Sequence, residues 1–163
     1  MMRAKALVAL TIACVAFSLA APAGDALAGV RDRKHHLIKR TKSQLGTRYR
    51  YGGETPRRGF DCSGFTRWTF SKVTGLPHSS KQQYRLARKP GYKRVNRRAR
   101  LRRGDLVFFK TTSANVGHVG MYIGKKRFIQ ASSGADKVTI SSVYDSYYGP
   151  RFRGAVRVSK LRG

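Results

Sequence analysis

The stretch from Gly46 to Phe70 constrains this chain more than any other. A glycine-punctuated loop runs straight into a helical pattern, and a cysteine stands at the junction. Gly52-Gly53, Pro56 and Gly59 mark the loop. After Cys62, the apolar residues Phe65, Trp68 and Val73 recur at helical spacing, and Gly75 closes the segment. Cys62 is therefore predicted at a helix N-terminus, where unpaired N–H groups and a partial positive charge favour thiolate over thiol. The plainer alternative is a small buried cysteine packed on a helix.

The N-terminus bears on that choice. Arg3 and Lys5 precede the uncharged apolar run Ala6 to Ala20, and Ala26-Leu27-Ala28 offers an A-x-A cleavage site. Residues 1–28 are expected to be a secretory signal peptide and 29–163 a single domain. The expected location is the periplasm or cell envelope, or the outside of the cell. Cys14 is not read as a lipoprotein site, because Thr11 stands where such sites want Leu. Cleavage would leave Cys62 as the sole cysteine of an exported protein. Such proteins usually pair their cysteines, so an unpaired one points to a reactive thiol or an intermolecular bond.

Charge is the other constraint. The chain carries 35 Lys and Arg against 7 Asp and Glu, a formal net charge of +28. A surface of this kind seeks polyanions. With so few carboxylates, neither a hard-metal site nor a two-carboxylate hydrolase is expected. The cations are densest from Lys81 to Arg103, and Arg94, Arg97, Arg98, Arg100, Arg102 and Arg103 are the expected polyanion-binding residues. A charge run is also an ordinary solvated face.

Along the rest of the chain, a basic arm (Arg31, Arg33, Lys34, His35, His36) leads into a short helix through Leu37, Ile38 and Leu45. Leu76 to Ser80 is a turn, with a short helix expected through Gln82 to Tyr84. Leu106 to Phe109 is a buried strand, and His118 to Ile123 alternates, with Val119, Met121 and Ile123 on one face. Gly124-Lys125-Lys126 makes a hairpin turn to Arg127–Ser132, and Val138–Ile140 and Phe152–Val158 supply further strands. Helices first and antiparallel strands afterwards read as α+β.

A cysteine nucleophile needs a base within reach and a third group to orient it. His118 alone of the four histidines sits on a predicted strand, where Gly117 and Gly120 would keep its surroundings open. With a three-residue turn, His118 and Gln130 become diagonal neighbours on one hairpin face. The Gln130 carbonyl can then accept the imidazole N–H and fix its tautomer.

The blocks Tyr49-x-x-Gly52-Gly53, Phe60-Asp61-Cys62-Ser63-Gly64-Phe65, Leu76-Pro77-x-Ser79-Ser80, Gly104 to Phe109, Gly117 to Gly124 and Phe128 to Ser132 occur in order. In these the chain resembles the NlpC-type bacterial cell-wall peptidases, which are papain-like cysteine hydrolases. The resemblance implies a papain-like α+β fold with Cys62 as nucleophile, His118 as base and Gln130 as the orienting residue, where relatives most often carry His. It places Tyr49 beside the oxyanion and Asp61 near the bound peptide, with Ser63 and Ser80 as further substrate-adjacent residues. His78 stands where relatives often have Arg. The implied reaction cuts the D-glutamyl–diaminopimelyl bond of peptidoglycan stem peptides, with no cofactor and no metal.

The leading expectation is thus a secreted cysteine endopeptidase, monomeric, acting on peptidoglycan and docking on anionic envelope polymers. The alternative is a basic envelope-binding module with a weak or inactive site. Nucleic acid is not expected, since no nucleic-acid-reading motif accompanies the charge.

Overall fold

The computed structural model describes residues 23–113 and 115–161, with 23–27 as backbone only. The elements in order are α1 (Ala23–Lys42), a hairpin of β1 (Glu54–Thr55) and β2 (Gly59–Phe60), α2 (Cys62–Phe70), and α3 (Ser80–Arg85). Strands β3 (Tyr92–Val95), β4 (Leu106–Phe109), β5 (His118–Gly124), β6 (Arg127–Ser132), β7 (Lys137–Ser142) and β8 (Phe152–Val158) follow. Residues 1–22, with Cys14 and most of the predicted signal peptide, lie outside the described residues. The expected basic arm is helical: α1 runs unbroken through Ala28 and carries Arg31, Arg33 and Lys34. No helix among the described residues is long and apolar enough to cross a membrane.

The last six strands form one sheet in the order β3-β8-β4-β5-β6-β7, and every neighbouring pair is antiparallel. Its centre is β4, whose four residues are all buried because both faces of the sheet are covered. Leu106 and Phe108 join Val119, Met121, Ile129 and Val156 in the larger cluster, roofed by Leu37 of α1 and by Phe65 and Phe70 of α2. Val107 and Phe109 join Val95, Phe128, Val143 and Ala155 on the other face. Fully burying one of these large side chains contributes roughly 1.5–3 kcal/mol, so α2 is fixed on the sheet by Phe65 and Phe70 more than by helix propensity.

Two strand features differ from expectation. β3 lies inside the Lys81–Arg103 run, where Lys93 and Arg94 hide its alternation, and it forms an outer edge of the sheet. The β5–β6 loop has two residues, Lys125 and Lys126, both left-handed with φ of 50° and 61°. The register shifts between Tyr122 and Gly124. The bulge supplies the extra residue that the expected three-residue turn would have given, so same-parity positions still share a face.

Candidate active site

Cys62 is the first residue of α2, and Asp61 places it there. Asp61 is extended (φ −88°, ψ 175°), and its Oδ1 accepts the Gly64 N–H at 2.7 Å and the Ser63 hydroxyl at 2.9 Å. Its Oδ2 accepts the Gly52 N–H at 3.0 Å and lies 3.0 Å from His78 Nε2. One carboxylate therefore caps the helix and ties it to the glycine loop and to the turn before α3. Gly64 makes the close approach possible, since a Cβ there would lie 2.1 Å from the Gly53 carbonyl oxygen.

The Cys62 sulfur meets the backbone N–H of Val119, the residue after His118. Burial pushes the thiol up to about 11; the Val119 N–H works against that rise, Asp61 reinforces it, and the Ser63 and Cys62 N–H groups oppose it. The expected resting thiolate is therefore not what the site holds. Removal from water outweighs the helix N-terminus, and the sulfur rests as a thiol.

The base side of the site is a closed network. His118 Nε2 and Gln130 Oε1 are hydrogen-bonded across the hairpin. Gln130 Oε1 also accepts the Tyr148 hydroxyl at 2.8 Å, and Gln130 Nε2 donates to Ser141 Oγ at 2.8 Å. The Tyr148 ring stacks on the imidazole with centroids 5.9 Å apart and an interplanar angle of 29°. With Nε2–H donating to Gln130, Nδ1 keeps the lone pair that a thiol proton would need. Burial pushes His118 down to about 4, against an upward pull from the Gln130 hydrogen bond. Gly120 does not keep this region open: the space its Cβ would take is filled by the Phe128 ring, 2.6 Å away. Tyr148 and Ser141 were not anticipated. The adjacent tyrosines at 147 and 148, just before a Gly-Pro turn, were the only linear hint.

The other expected residues divide. Tyr49 lies at the site: burial raises its phenol, with Cys62 and Asp61 adding to the rise. Ser63 points inward, 6% exposed and donating to Asp61, so its backbone N–H faces the sulfur while its hydroxyl is unavailable to substrate. Asp61 likewise has both oxygens engaged within the protein, so it organises the loop beside the nucleophile. Ser80 opens α3 and is partly exposed, with Ser79 as the cap. Arg98 leaves the polyanion set, because its Nη1 holds the Val143 and Gly149 carbonyls at 3.1 Å each and its guanidinium lies over Tyr144. It braces the loop that delivers Tyr148. Arg103 sits beside Gly124, away from Arg97 and Arg100. Among the described residues no group of three His, Cys, Asp or Glu side chains is placed to hold a metal.

Comparison with known proteins fits this geometry. The sequence profile of the NlpC/P60 family matches residues 46–157, from the loop before Tyr49 to the end of β8. The chain belongs to that family. A probable endopeptidase NlpC homolog of Haemophilus influenzae is 44% identical over 116 residues, covering 70% of this chain and 57% of that protein. The murein DD-endopeptidase MepS/murein LD-carboxypeptidase of Escherichia coli is 38% identical over 129 residues, covering 78% of this chain and 64% of its own length. The chain thus spans only part of these NlpC/P60 relatives. Among solved structures, the peptidoglycan hydrolase RipB of Mycobacterium tuberculosis superposes with a TM-score of 0.65 at 30% identity, covering 81% of this chain and 67% of that one.

Proposed function

We propose that the protein hydrolyses peptide bonds in peptidoglycan, with Cys62 as nucleophile, His118 as base and Gln130 as the residue that orients the base. The observation that carries this is the packing of α2 against β5: Cys62 opens the helix beside the strand that begins with His118, and the His118 imidazole is held in one tautomer by Gln130. The pair rests as thiol and neutral imidazole. As sulfur attacks the carbonyl carbon, the S–H proton passes to His118 Nδ1 and the carbonyl π electrons move onto oxygen. The resulting oxyanion meets backbone N–H groups at the start of α2, with the Tyr49 phenol close by. Collapse expels the amine, which takes the proton from His118, and leaves a thioester. Water, deprotonated by the same imidazole, then attacks the thioester and returns the thiol.

The bond we propose is the D-glutamyl–diaminopimelyl bond of the stem peptide, and the place of action is outside the cytoplasm. The apolar leader in the sequence supports the location, the relatives' names, which speak of murein and peptidoglycan, support the polymer, and the particular bond is inferred from the motif resemblance. Mass analysis of muropeptides after incubation with the protein tests the proposal. New fragments with a free D-glutamyl carboxylate are expected, and Cys62→Ala should abolish them without unfolding the chain. Unchanged muropeptides with wild type, or equal release by Cys62→Ala, would overturn it.

A further inference from the structure

The residue behind His118 is an amide, and an amide has two unlike ends. Its oxygen accepts and its NH₂ donates, although the two are almost the same in size and shape. With the oxygen towards His118, the imidazole carries its proton on Nε2, and Nδ1 keeps the lone pair that takes the thiol proton. With the NH₂ towards His118, Nε2 has to accept, the proton moves to Nδ1, and the base is lost. Gln130 is 1% exposed, so bulk water does not choose between the two orientations. Its side-chain partners have to.

Besides His118, those partners are Tyr148 and Ser141. The Tyr148 hydroxyl meets Gln130 Oε1 at 2.8 Å, the same end of the amide that meets His118, and Ser141 Oγ meets Nε2 at 2.8 Å. Each hydroxyl can donate or accept, so both orientations of the amide can be hydrogen-bonded. The chemistry of the two hydroxyls breaks the tie. A free phenol ionises at about pH 10 because its ring draws on the oxygen lone pair, which makes it a strong donor and a poor acceptor. An aliphatic hydroxyl accepts well. The tyrosine therefore favours the carbonyl at its end, and the serine favours the NH₂ at the other. Tyr148 O–H and His118 Nε2–H then fill both lone pairs of one oxygen.

The fold holds Tyr148 to this contact. Its ring packs edge-on against Phe109 and Phe128, with centroids 4.9 Å from each, and stacks on the imidazole. Asp145 Oδ1 accepts the N–H groups of Tyr147 and Tyr148, and the Asp145 carbonyl accepts the Gly149 N–H at 2.9 Å. Arg98 ties Val143 to Gly149 across the base of the same loop. A phenylalanine at 148 would fill the same space, so packing leaves the hydroxyl unexplained. We propose that Tyr148 is a positioning residue: its hydroxyl locks the Gln130 amide with the oxygen towards His118 and so holds the imidazole in the one tautomer that can act as base. The proposal rests on the hydrolase reading above for its purpose, but the tautomer can be read without any hydrolysis.

The test follows the two ring nitrogens of His118 by NMR in the full chain, at a pH where the imidazole is neutral. Wild type should show the proton on Nε2 alone. Tyr148→Phe keeps the ring and its stacking but removes the hydroxyl, so both tautomers should appear in comparable amounts. Turnover of muropeptides should then fall in kcat by roughly threefold, in step with the population lost, while KM stays unchanged. Gln130→Glu supplies the control. An ionised carboxylate accepts at both ends, so in that background Tyr148→Phe should leave the proton on Nε2. A wild-type tautomer in Tyr148→Phe would overturn the proposal. An equal shift in the Q130E background would also do so, since Tyr148 would then act through packing and not through the amide. If wild type cuts no muropeptide, the hydrolase reading falls, and the tautomer populations still decide the role of Tyr148.

Discussion

Replacing Gln130 with Leu tests the base network directly. Leu is close in volume and keeps water out, but it removes the acceptor used by His118 Nε2–H and by the Tyr148 hydroxyl, and the donor to Ser141 Oγ. Gln130 is 1% exposed, so the deletion happens where water cannot readily compensate. Ser141 is partly exposed and can turn to solvent. The stranded donors on His118 and Tyr148 cost about 1–3 kcal/mol each, and the added apolar burial of Leu offsets part of that. A net loss of about 2–4 kcal/mol should lower Tm by roughly 10 °C for a chain of this size. Activity should fall further than stability, because the imidazole loses its fixed tautomer: on the order of 10²–10³ in kcat/KM. The pH profile supplies a readout that mere loosening would not move. Gln130 pulls His118 upward, so its loss with burial retained should shift the acid limb to lower pH. Gln130→His restores an acceptor and should recover most of the rate. If Q130L kept wild-type Tm and rate, or if its acid limb moved towards 6.5, the assigned role of Gln130 would be wrong.

Three more outcomes are expected. Burial holds the Cys62 thiol near 11, so iodoacetamide at neutral pH should react roughly a hundredfold more slowly than with an unperturbed thiol, climbing about tenfold per pH step as 11 is approached. His118 is held down to about 4 in the fold against 6.5 unfolded. Stability is therefore complete above 6.5 and is lost as pH falls towards 4, by roughly 3 kcal/mol in all, and urea titrations of wild type against His118→Gln should show the difference. Thr69 is fully buried in α2 with an unpartnered hydroxyl, so Thr69→Val should raise stability by about 1 kcal/mol in thermal unfolding.

What could be read from the sequence was local. Asp61, Cys62 and Gly64 lie within one turn, and loop-to-helix punctuation is enough to place a cysteine at a helix start. His118 and Gln130 could be paired because strand parity survives any turn that preserves it, and the bulge before Gly124 does so. Tyr148 could not be read, because it reaches the imidazole only through a loop held by Arg98, 45 residues from the Val143 carbonyl it binds. Arg98 itself looked like one more cation in a run. β3 was hidden for a related reason: its Lys93 is exposed at a sheet edge and its Arg94 folds over the Tyr84 ring, so composition spoke louder than alternation. The glycine at 120 suggested open space, whereas a close-packed interior fills such a gap from the neighbouring strand.

The resting thiol follows from where the cations stand. On net charge alone, a chain of +28 should pull any thiol towards thiolate. Yet no Lys or Arg is among the groups that act on Cys62. Burial dominates, backbone N–H groups oppose it, and the one charged neighbour is Asp61, which disfavours the thiolate. The cations lie over the exposed surface, where salt screens them within about 10 Å. The thiol is thus governed by its immediate surroundings and not by the net charge of the surface. Its reactivity is set by the local contest between burial and three backbone N–H groups, and the proton has to move during attack. A tight network behind His118 is what such a concerted transfer requires, since the imidazole must be aimed before it is charged.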